Sequence, residues 1–238
     1  MQLLRSMLFT GLFFLITALY AIPVLLIGWM LPFNGRWGIA RSWACVLLWL
    51  LKVICKLDFV VEGRENIPPG CHVAMWKHSS TWETIAQALV FPAQNWVLKH
   101  ELMWIPLVGW ALRVMQPIDI NRAAGGSAVK QVIAQGKQRL KAGRWVVIFP
   151  EGTRAAIGEV KKYGLSGALL AVEAGVNIVP VAHTAGYFWP RRGWLKKPGT
   201  IRVVIGKPID TQGREPRELN AELQRWMEHT IAHIAPAS

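Results

Sequence analysis

Between Arg5 and Arg36 the chain carries no charged side chain, and Met7 to Leu31 is almost wholly apolar. An α-helix needs about 20 such residues to cross the hydrocarbon layer of a bilayer, so this run predicts a membrane helix. A cleaved signal sequence fits less well, because its apolar stretch should run only about 7–15 residues before a small-residue cleavage site. Here the stretch continues, interrupted only by Pro23 and Gly28. A second segment, Trp37 to Lys56, mixes Arg41, Lys52 and Lys56 with Trp43, Leu47, Leu48, Trp49 and Leu51. That mixture suits the headgroup level, where tryptophans 29, 37, 43 and 49 satisfy an apolar ring and a polar N–H together. A core helix is the alternative for this segment.

The 238 residues include 27 Lys and Arg against 14 Asp and Glu, a formal charge of +13. Such an excess favours anionic partners: nucleic acid, acidic lipid or an acidic carrier protein. No motif gathers basic and aromatic residues as a nucleic-acid reader does, so anionic membrane lipid is expected and nucleic acid is not. Arg5 precedes the apolar run, whereas Arg36, Arg41, Lys52 and Lys56 follow it. The positive-inside bias then keeps the rest of the chain on the cytoplasmic side of an inner (cytoplasmic) membrane. A helix pair dipping into one leaflet satisfies the same bias. Cys45, Cys55 and Cys71 are odd in number and lack metal-type pairing, which fits a reducing compartment.

From Leu57 onward, apolar and β-branched runs predict strands at Leu57–Glu62, His72–Trp76, Trp96–Leu98, Gln116–Ile120, Arg144–Phe149, Ile178–His183 and Thr200–Ile205. Helical patterns fall between several of them, at Trp82–Val90, Ser127–Lys141, Ser166–Ala174 and Arg217–Ile234. The alternation predicts an α/β layered domain with a largely parallel mixed sheet flanked by helices, preceded by N-terminal membrane helices. Residues 1–56 form the anchor and interfacial helix in this reading, and 57–238 the domain that carries chemistry. The loop from Phe188 to Gly199 alternates basic and aromatic residues. It is read either as pressing on an anionic bilayer or as a solvated turn.

His78 directly follows a predicted strand, near the C-terminal end where open α/β sheets place ligand crevices. An imidazole there is suited to accept a hydroxyl proton near neutrality. Glu83 lies five positions on, which separates the two by roughly 140° on a regular helix. They meet only if His78 sits in the non-helical approach and Glu83 in the first turn. Ser80-Thr81-Trp82-Glu83 has the capping-box pattern that starts a helix there. The bland reading of Glu83 is that cap alone, but a carboxylate with two oxygens can cap and orient an imidazole together. Phe149-Pro150-Glu151-Gly152-Thr153-Arg154 leaves the strongest apolar strand and turns into a polar loop. Backbone amides and the planar fork of Arg154 suit a phosphate. Lys99 and Arg122 stand at comparable strand exits, where solvent exposure is the default for either one alone.

Taken in order, the blocks at 78–83, 117–122, 149–154 and 178–181 resemble the glycerolipid acyltransferase family over about residues 58–210. The bacterial members that acylate lysophosphatidate are the nearest in pattern. The family's first motif is His-x4-Asp; here Glu83 replaces the aspartate, keeping the carboxylate and adding one methylene. Ala155 stands where many relatives carry serine.

The resemblance implies a transfer of an acyl group from acyl-CoA or acyl carrier protein to the sn-2 hydroxyl of lysophosphatidic acid, giving phosphatidic acid. His78 and Glu83 are the implied catalytic pair. Lys99, Arg122, Glu151, Gly152, Thr153 and Arg154 are the implied substrate contacts. No cofactor or metal is expected, and His72, His78 and His100 lack the spacing of a helical zinc pair. Two rivals share the resemblance: another lyso-lipid acceptor such as lyso-ornithine lipid, and a non-catalytic lipid-binding protein that kept the fold.

Overall fold

The computed structural model describes residues 1–121 and 126–236. Two long helices come first, α1 (Gln2–Ile27) and α2 (Phe33–Cys55). Lys56, in the left-handed conformation with φ 58°, ends α2 and turns the chain directly into β1 (Leu57–Glu62). Then follow β2 (Val73–Trp76), α3 (Trp82–Val90), β3 (Gln94–Lys99), α4 (Val108–Val114), β4 (Ile118–Ile120), α5 (Gly126–Lys141) and β5 (Trp145–Ile148). The chain closes with α6 (Ser166–Ala174), β6 (Ile178–His183), the single turn α7 (Ala185–Phe188), β7 (Gly199–Ile205) and α8 (Pro216–Ile234).

The strands form one seven-stranded sheet in the order β1-β7-β6-β2-β5-β3-β4. Every pairing is parallel except β6 with β7. Parallel strands covered on both faces read as continuous apolar runs, and β2, β5 and β6 are buried at every position. Their side chains alternate between two cores. Ala74, Trp76, Trp145 and Val147 meet α2 and α3 on one face. Val73, Met75, Val146 and Ile148 belong to the other core, with residues of α5, α6 and α8.

One face of the second segment packs as a core helix. Phe33, Trp37, Ala44, Leu47, Leu48, Leu51 and Cys55 turn one face of α2 into the sheet's core, and Trp37 stacks on Phe33 and touches Trp96. Trp37 therefore leaves the expected interfacial set, whereas Trp29 and Trp49 are exposed. Trp43 lies between these extremes, its indole N–H donating to Thr17 Oγ1 of α1. Both helices are long and apolar enough to cross a membrane. On α1, Leu4, Leu8, Phe14, Leu15, Leu19 and Leu26 are all more than half exposed. An apolar face of this extent marks a partner or membrane surface, and the two helices fit membrane association.

Candidate active site

Residues 77–81 leave the end of β2 in an irregular link before α3 begins at Trp82. This is what lets His78 and Glu83 meet: His78 Nδ1 lies 2.9 Å from Glu83 Oε1. The same oxygen accepts the backbone N–H groups of Ser79 at 2.9 Å and Ser80 at 2.8 Å. One carboxylate oxygen thus caps the helix and orients the imidazole, rather than the two oxygens dividing the tasks. The capping box is also altered on its other side, since Ser80 Oγ accepts from the Trp82 N–H at 3.1 Å.

Because Glu83 Oε1 can only accept when ionised, Nδ1 of His78 carries the proton and Nε2 keeps its lone pair. The ring is held flat against Phe149, with centroids 4.1 Å apart and planes 20° from parallel. Its side chain remains 15% exposed, while that of Glu83 is fully enclosed. Burial alone would push the Glu83 carboxyl up. The hydrogen bond from His78, the nearby His183 and His78 rings and the Ser80 amide together outweigh it and hold the group below the usual carboxylate range.

Glu151 was expected among the substrate contacts, but its carboxylate points inward. Oε2 accepts the backbone N–H of His78 at 3.1 Å, and Oε1 pairs with Lys77 Nζ at 2.6 Å. Burial raises its pKa and the Lys77 ammonium opposes that shift. Glu151 braces the loops that leave the C-terminal ends of β2 and β5, and its side chain is fully enclosed. Gly152 takes φ 69°, the left-handed region that favours glycine, and its N–H donates to Phe149 O at 2.9 Å, closing the turn after β5. Thr153 is exposed, and its hydroxyl accepts from Lys161 Nζ at 2.9 Å. The Ala155 N–H donates to the His78 carbonyl at 2.8 Å, tying the two loops a second time.

Arg154 and Phe149 are among the residues lining an apolar cavity of about 380 Å³. The cavity runs between α1, α2 and α4, past Val24, Trp43, Trp96 and Ala111, and Arg154 is the one charged side chain lining it among the described residues. Lys99 ends β3, exposed, one residue beyond the cavity-lining Leu98. Arg122 lies outside the described residues.

Three contributors escaped the sequence reading. Lys77 neutralises Glu151, and Phe149 stacks under the imidazole. His183, buried at the end of β6, reaches the Lys77 carbonyl with Nε2 at 2.8 Å, while its Nδ1 accepts from the Ala185 N–H at 3.2 Å. Those partners define a neutral ring, and burial pushes its pKa down. Among the described residues no group of three or more His, Cys, Asp or Glu is placed to hold a metal ion.

The sequence profile of the Acyltransferase family matches residues 58–184, a span that contains His78, Glu83 and the 149–154 loop. The chain is 43% identical over 211 residues to the 1-acyl-sn-glycerol-3-phosphate acyltransferase of Pseudomonas aeruginosa, covering 87% of this chain and 82% of that one. It is 26% identical over 215 residues to the enzyme of the same name from Saccharomyces cerevisiae, covering 82% and 70% of the two chains. The crystal structure of the 1-acyl-sn-glycerophosphate (LPA) acyltransferase of Thermotoga maritima superposes over the full length of both chains with a TM-score of 0.81 at 25% identity. The fold and the paired histidine and carboxylate define a membrane-associated acyl-transfer protein. This chain belongs to the Acyltransferase family.

Proposed function

We propose that the protein transfers a fatty acyl group from an acyl thioester to the sn-2 hydroxyl of 1-acyl-sn-glycerol-3-phosphate, giving phosphatidic acid for phospholipid synthesis. The observation that carries this reading is the continuity of three surfaces: Phe149 lies under the His78 ring and also walls the apolar cavity that Arg154 helps to line. An acceptor with a long acyl chain and a phosphate near the reacting hydroxyl has a place for each part.

In this mechanism the acyl chain of lysophosphatidate lies in the cavity between the N-terminal helices and the domain. Its phosphate is gripped by Arg154, with Lys99 close to the same rim. Binding energy is thereby converted into placement of the hydroxyl beside Nε2 of His78. The hydroxyl oxygen attacks the thioester carbonyl carbon as Nε2 takes its proton. The C–S bond then breaks, and the imidazolium returns that proton to the departing thiolate. Glu83 holds the imidazole tautomer and stabilises the transient cation, while remaining ionised itself. Substrate oxygen attacks directly, so no step calls for a cofactor or a protein nucleophile.

Residues 1–56 serve as the anchor and 57–238 as the catalytic domain in this reading, with the catalytic face towards the cytoplasm at the inner membrane. The excess of positive charge serves anionic lipid and an anionic acyl donor, CoA or carrier protein, not nucleic acid.

The test is phosphatidate formation by the purified protein from lysophosphatidate and a labelled acyl thioester. His78→Ala should lower kcat by about 10²–10⁴-fold, the usual worth of general-base assistance, with fold and membrane association retained. Arg154→Ala should chiefly raise the KM for lysophosphatidate. Retention of most activity by the His78 variant would defeat the assignment of the base.

A further inference from the structure

A second space lies beside Ser79, the residue that follows His78. This crevice, of about 310 Å³, is lined by Ser79, Ala155, Ile157, Gly186, Arg191 and Arg192 among others, and shares no lining residue with the cavity. The two spaces nevertheless adjoin. The chain passes from one to the other between Arg154 and Ala155, and Ser79 follows His78 directly. The Ala155 N–H hydrogen-bonded to the His78 carbonyl marks the wall between them.

Their chemistry differs in a way that matches a reaction of two substrates. The cavity is apolar with one guanidinium among its lining side chains, whereas the crevice is lined by a pair of guanidiniums. Both Arg191 and Arg192 are exposed, and among the described residues neither makes a hydrogen bond or an ion pair. Glu159 is the nearby carboxylate: the Ala156 amide first, then Lys161 and Arg191, hold it below the usual carboxylate range. Its oxygens are engaged by the Ala156 N–H at 2.8 Å and by Lys161 at 3.5 Å. The arginines sit on an anchored loop, because Trp189 packs on Phe9 and Lys196 is buried against α1.

We infer that this crevice receives the phosphopantetheine arm of the acyl donor, with Arg191 and Arg192 gripping its phosphate while the thioester reaches His78 past Ser79. The inference rests on the acyl-transfer reading above. It assigns the donor a route separate from the acceptor's, so that each substrate's anion meets its own guanidiniums. Planar guanidinium forks match phosphate oxygens, and each charged hydrogen bond lost should weaken binding roughly tenfold.

The experiment compares wild type with Arg191→Gln/Arg192→Gln and Arg191→Glu/Arg192→Glu, using the full chain in detergent. Lys141→Glu serves as a charge control, since Lys141 ends α5 ahead of the N-terminal edge of β5, away from the site. Three donors with one acyl chain are used: acyl-CoA, acyl carrier protein, and acyl-pantetheine, which lacks the phosphate. The expected result is a KM rise of roughly tenfold or more for both phosphate-bearing donors in the charge-reversal variant. The KM for acyl-pantetheine and for lysophosphatidate should stay unchanged, and so should kcat at saturation.

A rise with acyl-CoA alone would overturn the inference in favour of contacts to the nucleotide phosphates. A rise with carrier protein alone would overturn it in favour of a protein-docking contact. An equal rise with acyl-pantetheine, a rise confined to lysophosphatidate, or no change would also overturn it. Failure of wild type to form phosphatidate with any donor is a separate result, and removes the acyl-transfer reading itself.

Discussion

His183 Nε2 stands 3.9 Å from Glu83 Oε2, the carboxylate oxygen turned away from His78. Among the described residues that oxygen has no hydrogen-bond partner, and the imidazole near it spends its N–H on the Lys77 carbonyl. The carboxylate therefore lies between two histidines with different tasks: His78 is partly open, and His183 is sealed beneath the Trp76 and Trp82 rings.

Acid stability should report on His183. Its folded pKa is pushed down by burial, with Lys77 and His78 adding repulsion and Glu83 opposing. Below about pH 6.5 the unfolded chain binds a proton on this ring that the folded chain refuses, so stability falls as pH drops from there and is level above. His183→Gln keeps an N–H for the Lys77 carbonyl and removes the titration. Its Tm should decline less than that of wild type between pH 7.5 and 5.5. Equal acid sensitivity of the two proteins would show that the ring is not held neutral.

Glu83→Gln and Glu83→Ala should fail in different ways. The amide's oxygen can still accept from Ser79, Ser80 and His78, so Glu83→Gln should remain folded while kcat falls for want of a charge to stabilise the imidazolium. Alanine leaves two backbone N–H groups and the ring without their acceptor. Each buried donor left unpaired costs about 1–3 kcal/mol. Thermal denaturation and kcat measured side by side separate the two effects.

Lys77 and Glu151 should couple strongly. The Glu151 side chain is fully enclosed and that of Lys77 is 13% exposed. Removing one partner of such a pair costs on the order of 3–5 kcal/mol, because the other charge is stranded. Lys77→Met alone should be more destabilising than Lys77→Met combined with Glu151→Gln. A double-mutant cycle in denaturant measures the coupling, and additive effects would mean that the pair is not a unit.

Lys196 should hold the 189–197 loop to the anchor. It is 2% exposed and donates from Nζ to the Ser6 and Trp194 carbonyls, to Thr10 Oγ1, and over the Trp189 ring. Burial lowers its pKa. Lys196→Met should free the loop, seen as faster protease cleavage between 189 and 197, with the KM for the acyl donor raised more than that for lysophosphatidate.

Much of the architecture was legible because it depends on local pattern. Buried parallel strands need unbroken apolar runs, and 145–148 and 178–183 supply them. The meeting of His78 with Glu83 could be anticipated from the helix-start signal at Ser80, which fixes where regular helix begins. What stayed hidden depends on distant neighbours. Nothing near Lys77 announces Glu151, 74 positions later, and nothing around His183 announces the carbonyl it seals. Glu151 belongs to the loop block that the resemblance marks for substrate, and only the structure shows its side chain enclosed against Lys77 and the His78 amide. Trp37 was misplaced because a tryptophan suited to an interface equally suits a core, and only the arrival of Phe33 and Trp96 decides. Lys196 shows the same ambiguity for a cation in a basic loop.

The helix α2 has one side in the sheet's core, with Leu47, Leu51 and Cys55 wholly covered, while Trp49 and Val53 on its other side are exposed. This N-terminal helix and the sheet consequently share a wall. Trimming the chain at Lys56 would remove Leu47, Leu48, Leu51 and Cys55 from the core they share with Trp76, Trp82 and Ile201. The long apolar helix is thus part of the domain's own packing and cannot be removed as an appendage.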